Sequence, residues 1–211
     1  MPQLDWISST IAVTALAVSA TTLWLTHLRA GKVLMTRPSQ FYLGGDGDKE
    51  SSPKVYLRAL LYSNAQRGCV VEDLFVSIKR GETTQTFPIW VFGNKGALRR
   101  SGGLYVGKEG VNEGHHFLLP NKTTHYKFEL GSYQLKVMAR TIGSKSSTEL
   151  FVYSFAIDEQ QAKSLSKGGG LYFDWGPESQ SYLAHLDEVD QGSGVQIYVE
   201  HAGKKIPLEM S

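Results

Sequence analysis

The sequence predicts a mostly β domain carried on one N-terminal membrane-spanning helix, with a short helix and a hairpin closing the chain. Three observations carry that prediction. Ile7–Leu28 is an apolar stretch with no formal charge unless His27 titrates. Downstream, apolar and polar residues alternate with period two in several short runs. Between those runs stand glycines and turn residues rather than long helical repeats, which favours an antiparallel sandwich or barrel.

The apolar stretch sets the first element. At about 1.5 Å per residue its helix reaches about 33 Å, enough for a hydrocarbon core of roughly 30 Å. Trp6 and Trp24 stand near its ends, where indole rings favour the membrane–water interface. A cleaved signal peptide needs a basic segment before the apolar core. Here Met-Pro-Gln-Leu-Asp-Trp precedes it, and the run continues past Val18-Ser19-Ala20 through Leu23-Trp24-Leu25, so an uncleaved anchor is expected. Arg29, Lys32 and Arg37 follow the helix. The positive-inside bias therefore puts the C-terminal domain in the cytoplasm, with a periplasmic or extracellular domain as the alternative. Ser8, Ala12, Ala15, Ser19, Thr22 and Thr26 line one helix face, a pattern compatible with self-association through the membrane.

The remaining residues suffice for one domain with a real core. Residues 1–6 read as a tail, 7–28 as the helix, 29–158 as a sandwich and 159–211 as an extension packed on it. A net charge of +2, with no basic helix or RNA-binding aromatic motif, excludes nucleic acid as the expected partner. Cys69 is the sole cysteine, which excludes an internal disulfide and multi-cysteine metal sites.

Strands are expected at Val33–Thr36, at Val55–Tyr62 and around Leu74, Val76 and Ile78. Thr84–Phe92 returns as a strand whose Pro88 marks an edge or bulge. Gly93–Gly114 reads as a long Gly-rich stretch, with a loop from Gly93 to Gly110. Phe117–Leu119 with Tyr126–Leu130, Tyr133–Thr141 and Glu149–Ile157 complete the set. Asp158, with Gln161 three residues on, opens a short helix as a capping box, and Gly168-Gly169-Gly170 closes it. A last strand through Val195, Ile197 and Val199 turns at Ala202-Gly203-Lys204-Lys205 into Ile206–Leu208.

Glu129-Leu130-Gly131-Ser132-Tyr133-Gln134-Leu135 resembles the approach to strand F of immunoglobulin-like and fibronectin-like domains. In those folds the Tyr forms a corner whose hydroxyl bonds upstream backbone, two residues before a disulfide cysteine. The resemblance covers residues 32–158 and implies an immunoglobulin-like sandwich, with Leu135 at the cysteine position and no Trp near Val76. It implies no particular function.

Chemistry-bearing residues are sparse. Lys95, Arg99, Arg100 and Lys108 punctuate the Gly-rich loop and form a candidate surface for an anion or an acidic partner. The loop matches neither a phosphate loop nor a dinucleotide fingerprint. His115, His116 and His125 invite a metal, yet neighbouring strand residues point to opposite faces. At most one of the first two joins His125, and Glu113 would have to complete a poor site. Asp46 and Asp48 lack the ligand series of a calcium loop, and no nucleophile elbow is present. Asn121-Lys122-Thr123 is a glycosylation sequon by pattern. No cofactor, metal or catalytic residue is expected. Tyr172, Phe173 and Trp175 follow a triple glycine and serve either as interface anchors or to dock the extension on its own domain.

The expected function is a membrane-anchored, non-catalytic interaction module, an adaptor or a subunit of a membrane complex. Its partners would be the bilayer and another protein or a second copy. A tethered sensor of an anion or metal is the alternative, and a tethered enzyme comes last.

Overall fold

The computed structural model describes residues 2–29, 31–45, 52–93, 98–120, 126–187, 198–201 and 204–207. The Asp46–Asp48 turn, Lys95, the sequon at 121–123, His125, Val195 and Ile197 lie outside them.

The first helix, α1 (Pro2–Leu23), continues into a final π-helical turn, Trp24–Leu28. Trp6–Leu28 is long and apolar enough to cross a membrane, with mean hydropathy 1.5 over its apolar window, and none of that window is buried against the domain. A signal sequence meets the same description. Its threonines do not leave hydroxyls bare: Thr10, Thr14, Thr21, Thr22 and Thr26 each donate to a carbonyl four residues back, at 2.7–2.9 Å. That local bond satisfies each hydroxyl within the helix itself.

The strands that follow are β1 (Val33–Met35), β2 (Gln40–Gly45), β3 (Pro53–Ser63), β4 (Cys69–Arg80), β5 (Thr83–Phe87), β6 (Ile89–Phe92), β7 (Arg99–Arg100), β8 (Leu104–Val106), β9 (Val111–Leu118), β10 (Gly131–Thr141) and β11 (Thr148–Ile157). Then come helix α2 (Glu159–Ser166), β12 (Gly170–Gly176), β13 (Ser181–Asp187), β14 (Tyr198–His201) and β15 (Lys204–Pro207). All pairings are antiparallel. The larger sheet runs β13-β12-β2-β3-β9-β6-β7, with β1 beside β3. The smaller runs β11-β10-β4-β5, with β8 beside β4. The β14–β15 hairpin is a separate pair.

The fold is therefore mostly β with antiparallel sheets, and period two decides which side chains meet between them. In β3, Val55, Leu57, Ala59 and Leu61 are at most 3% exposed; in β10, Tyr133, Leu135, Val137 and Ala139 play the same part. Phe41 of the larger sheet stacks on Phe173 at 4.2 Å and meets Tyr153 and Phe155 of the smaller sheet edge-on or tilted at 5.7 and 5.8 Å.

Proline punctuates both sheets. Pro38 separates β1 from β2, which lie in line along the same side of β3. Pro88 separates β5 from β6 and is the point where the chain leaves the smaller sheet for the larger. The single strand read from Thr84 to Phe92 is thus two, because a residue without an N–H breaks the ladder there.

Other expectations need correction. Gly93–Gly110 is no plain loop: it contains β7 and β8. Tyr126–Leu130 forms no ladder; Tyr126 and Phe128 instead pack their rings on Phe87. Residues 170–187, read from sequence only as an extension packed on the sandwich, form a hairpin that joins the larger sheet through β12.

Helix α2 begins with a full capping box between Asp158 and Gln161. It ends with Gly168 at φ +89°, Gly168 N–H donating to Leu165 and Gly169 N–H to Ser164. This pair of hydrogen bonds is a Schellman close, in which the left-handed residue is a glycine because it has no Cβ to clash.

Candidate functional site

The described basic residues of the Gly-rich segment, Arg99, Arg100 and Lys108, are not gathered into one cradle. Arg99 and Arg100 form β7 and pair with Phe92 and Val91, so their side chains leave opposite faces of the sheet. Through β9, Phe92 stands at the level of Leu57 in β3. Lys108 lies in the turn whose Gly107 carbonyl accepts from Ser63 N–H. Six strand residues at about 3.3 Å each separate the two levels by roughly 20 Å.

The histidines also part. His115 is fully buried, and Trp90 Nε1–H donates to its Nδ1 at 3.2 Å. His116, on the other face, packs on Tyr56 at 4.7 Å. Burial, and then the neighbouring His116, lower the His115 pKa to about 4. Its proton therefore sits on Nε2, which has no hydrogen-bond partner among the described residues. Among those residues, no three His, Cys, Asp or Glu stand close enough to hold a metal. Burial also pushes the half-buried Cys69 thiol up, a nearby Ser63 hydrogen bond opposing it, so the nucleophilic thiolate is disfavoured.

The aromatic residues of the extension divide by strand face. Phe173 is 3% exposed and belongs to the core; it is not a surface anchor. Tyr172 lies on the opposite face, stacked on His185 at 5.4 Å and against Tyr42 at 4.7 Å. Trp175 is half-buried, with the Arg37 guanidinium 3.8 Å from its ring centroid. Beside it Tyr182, which burial pushes above the usual phenol range, donates to the Pro38 carbonyl at 2.6 Å.

That rim faces a groove of about 520 Å³, lined by Arg37, Trp175, Gln180 and Tyr182 on one side and by residues 149–153 of β11 on the other. Gln180 is the one non-glycine with positive φ among the described residues, at +49°, and such a residue is a point of backbone strain.

The strand bordering this groove ends its sheet. β11 pairs with β10 and, among the described residues, with no other strand. Phe151, Tyr153, Phe155 and Ile157 turn inward, while Val152, Ser154 and Ala156 are exposed. Leu150–Ile157 contains no charge, no proline and no glycine. The other edges differ: β7 is a pair of arginines, β13 carries His185 and Asp187, and β5 and β8 are short. Charge and brevity are the usual guards against strand pairing. β11 has neither, apart from Glu149 at its start, bound by Lys136 at 2.7 Å. The strand itself was legible in the sequence. Its place at an edge, and the Arg37 and Gln180 wall, were not, because they follow from strand order.

No family model matches the chain, and no curated protein matches it. Among solved structures, a family 123 glycoside hydrolase from Clostridium perfringens, studied for glycolipid glycan hydrolysis, aligns at 11% identity with a TM-score of 0.31. The alignment covers 61% of this chain and 27% of that one. The chain thus spans well under two thirds of that structure's length, and a likeness this slight carries no argument.

Proposed function

We propose that this protein is a single-pass membrane-anchored, immunoglobulin-like module that binds a partner protein by strand addition along β11. It serves as an adaptor or a subunit of a membrane complex, with the domain on the cytoplasmic side. The observation that carries the reading is the unguarded edge Leu150–Ile157 beside a ready groove. An extended segment added there would satisfy the outward N–H and C=O groups of β11. Its alternate side chains would lie in the groove against Trp175 and Tyr182.

The strand order supports the immunoglobulin-like part. β2-β3-β9-β6 matches the order A-B-E-D, and β11-β10-β4-β5 matches G-F-C-C′. Tyr133 Oη donates to the Glu129 carbonyl at 2.7 Å and accepts from Glu129 N–H at 2.9 Å, the contact of a tyrosine corner. β7 and the β12–β13 hairpin are additions to that plan.

The test is site-specific photo-crosslinking of the full-length protein in its native membranes. A photoreactive residue at Val152 is compared with one at Thr84 on the opposite edge. The expected result is one protein adduct at Val152, absent at Thr84 and abolished by Ser154→Lys, since an edge lysine opposes pairing. Equal adducts at both sites, or none at Val152, would overturn strand addition. An adduct to a second copy would make the partner this chain itself.

A further inference from the structure

We infer that the end of the domain nearest the helix is itself a lipid-binding surface, built to lie on anionic phospholipid headgroups. The inference rests on the membrane anchor of the proposed function and adds to it a second contact with the bilayer.

The helix does not hang from the sandwich on a free tether. Only residues 29–32 separate Leu28 from β1, and Leu28, Gly31 and Lys32 are tied to the β3–β4 turn. Arg67 Nη1 donates to the Leu28 carbonyl at 3.3 Å, and Gly31 N–H donates to the Gly68 carbonyl at 3.3 Å. Lys32 N–H donates to Asn64 Oδ1, and Asn64 N–H to the Lys32 carbonyl. Tyr105 Oη donates to the Arg67 carbonyl. A helix seated in a bilayer would therefore hold this end of the sandwich against the membrane surface.

Three turns distant in sequence share that end. Ser63 N–H donates to the Gly107 carbonyl, which places the 107–110 turn beside the β3–β4 turn. Ile142 N–H donates to the Val70 carbonyl, which places the β10–β11 turn there too. The exposed cations brought together are Arg29, Lys32, Arg67, Lys108 and Lys145. Against them stand Glu109 in the same set of turns and Glu178 on the outlying β12–β13 turn. Arg140, slightly deeper, is held by Asp73 and Glu72, a trio that carries one surplus negative charge and leaves the cations of this end still in excess. Ile142, the first residue of its turn, is 67% exposed, and Tyr105, 59% exposed, flanks the same Val70 from the other side of β4.

Cations on the same end as an exposed aliphatic side chain and a tyrosine are the chemistry of an interfacial contact. The cations meet anionic headgroups, each contributing near the surface, while the apolar side chain reaches the boundary with the acyl chains. The anionic cytoplasmic leaflet supplies such headgroups. Sequence alone shows the charges next to the helix; the fold brings in Arg67, Lys108 and Lys145.

The test uses the full-length protein with Cys69→Ser, reconstituted into nanodiscs containing a lipid-borne fluorescence quencher. An environment-sensitive dye is placed on Ile142→Cys, on Glu82→Cys at the far end of the domain, or on Ala15→Cys within the helix. In phosphatidylserine-containing discs, the dyes at 142 and 15 are expected to be quenched and the dye at 82 to stay bright. Quenching at 142 is expected to be lost in neutral phosphatidylcholine discs, in high salt, and in the triple variant Arg67→Gln, Lys108→Gln, Lys145→Gln. The charge-conserving triple Arg67→Lys, Lys108→Arg, Lys145→Arg is expected to keep it. A bright dye at 142 with a quenched dye at 15 would overturn the surface while leaving the anchor intact. Quenching at 142 that ignores both lipid charge and salt would overturn recognition of anionic headgroups. Bright dyes at both sites would overturn anchor and surface together.

Discussion

Acidification tests the interior of the larger sheet through one residue. His115 is fully buried, and its pKa falls from 6.5 to about 4. Protonation would place a charge away from water and set a second N–H against the Trp90 indole N–H that now donates to Nδ1. Because the folded pKa lies below the unfolded one, the unfolded chain binds more protons between those values. The stability held with neutral His115 is then complete above pH 6.5 and lost as pH falls toward 4. At about 1.4 kcal/mol per unit, the loss is on the order of 2 kcal/mol by pH 5 and 3 kcal/mol by pH 4. For a domain of this size, 2 kcal/mol corresponds to a fall in Tm of about 4–8 °C. The assay is thermal unfolding of the full-length protein in detergent across that pH range, beside His115→Gln, which cannot titrate. Carboxylates contribute to both curves, so the difference between them isolates His115. The wild type is expected to lose stability more steeply than the variant. Parallel curves would refute the reasoning.

Two further substitutions probe contacts already described. Tyr133→Phe removes one oxygen that serves the Glu129 carbonyl and N–H at once; at about 1 kcal/mol per bond, a loss of about 2 kcal/mol is expected in urea unfolding. The companion Arg80→Gln, which breaks a half-exposed ion pair with Glu129, is expected to cost under about 1 kcal/mol. Asp158→Ala removes half of the capping box of α2 and is expected to cost about 1 kcal/mol, with faster amide exchange confined to residues 159–166.

Period two made the middle strands readable. Val55–Leu61, Leu74–Ile78 and Leu135–Ala139 alternate because one face meets the opposite sheet and the other meets water. The same logic failed where strands are short or interrupted. β2 ends in two glycines, and β12 begins at the last of three, so their composition reads as turn although both pair with neighbours. β7 and β8 are held by the strands beside them rather than by their own pattern. Tyr172, Phe173 and Trp175 looked alike in sequence; the pleat turns Tyr172 outward and Phe173 inward, and Trp175, on the same face as Phe173, stays half-exposed because it lines the groove at the rim of the core. Pro88 was visible as a break, but only its neighbours' partners reveal it as a change of sheet. The charge of the helix-proximal end was least legible, since Arg67, Lys108 and Lys145 meet only through three separate turns.

The pairing of Leu171 with Leu43 and of Phe173 with Phe41 also orders events during synthesis. β2 is made early, yet its outer neighbour follows almost all the other strands, so this edge waits open while the chain grows. Contacts between such distant segments form slowly because a long loop must close first. Until then Phe41 lacks the ring it stacks on. The nascent domain would display a sticky strand next to a hydrophobic helix, the kind of intermediate that chaperones shield. A chain cut before Gly170 should therefore accumulate as aggregate or be degraded, even though both strands of the central β3–β9 pair are intact.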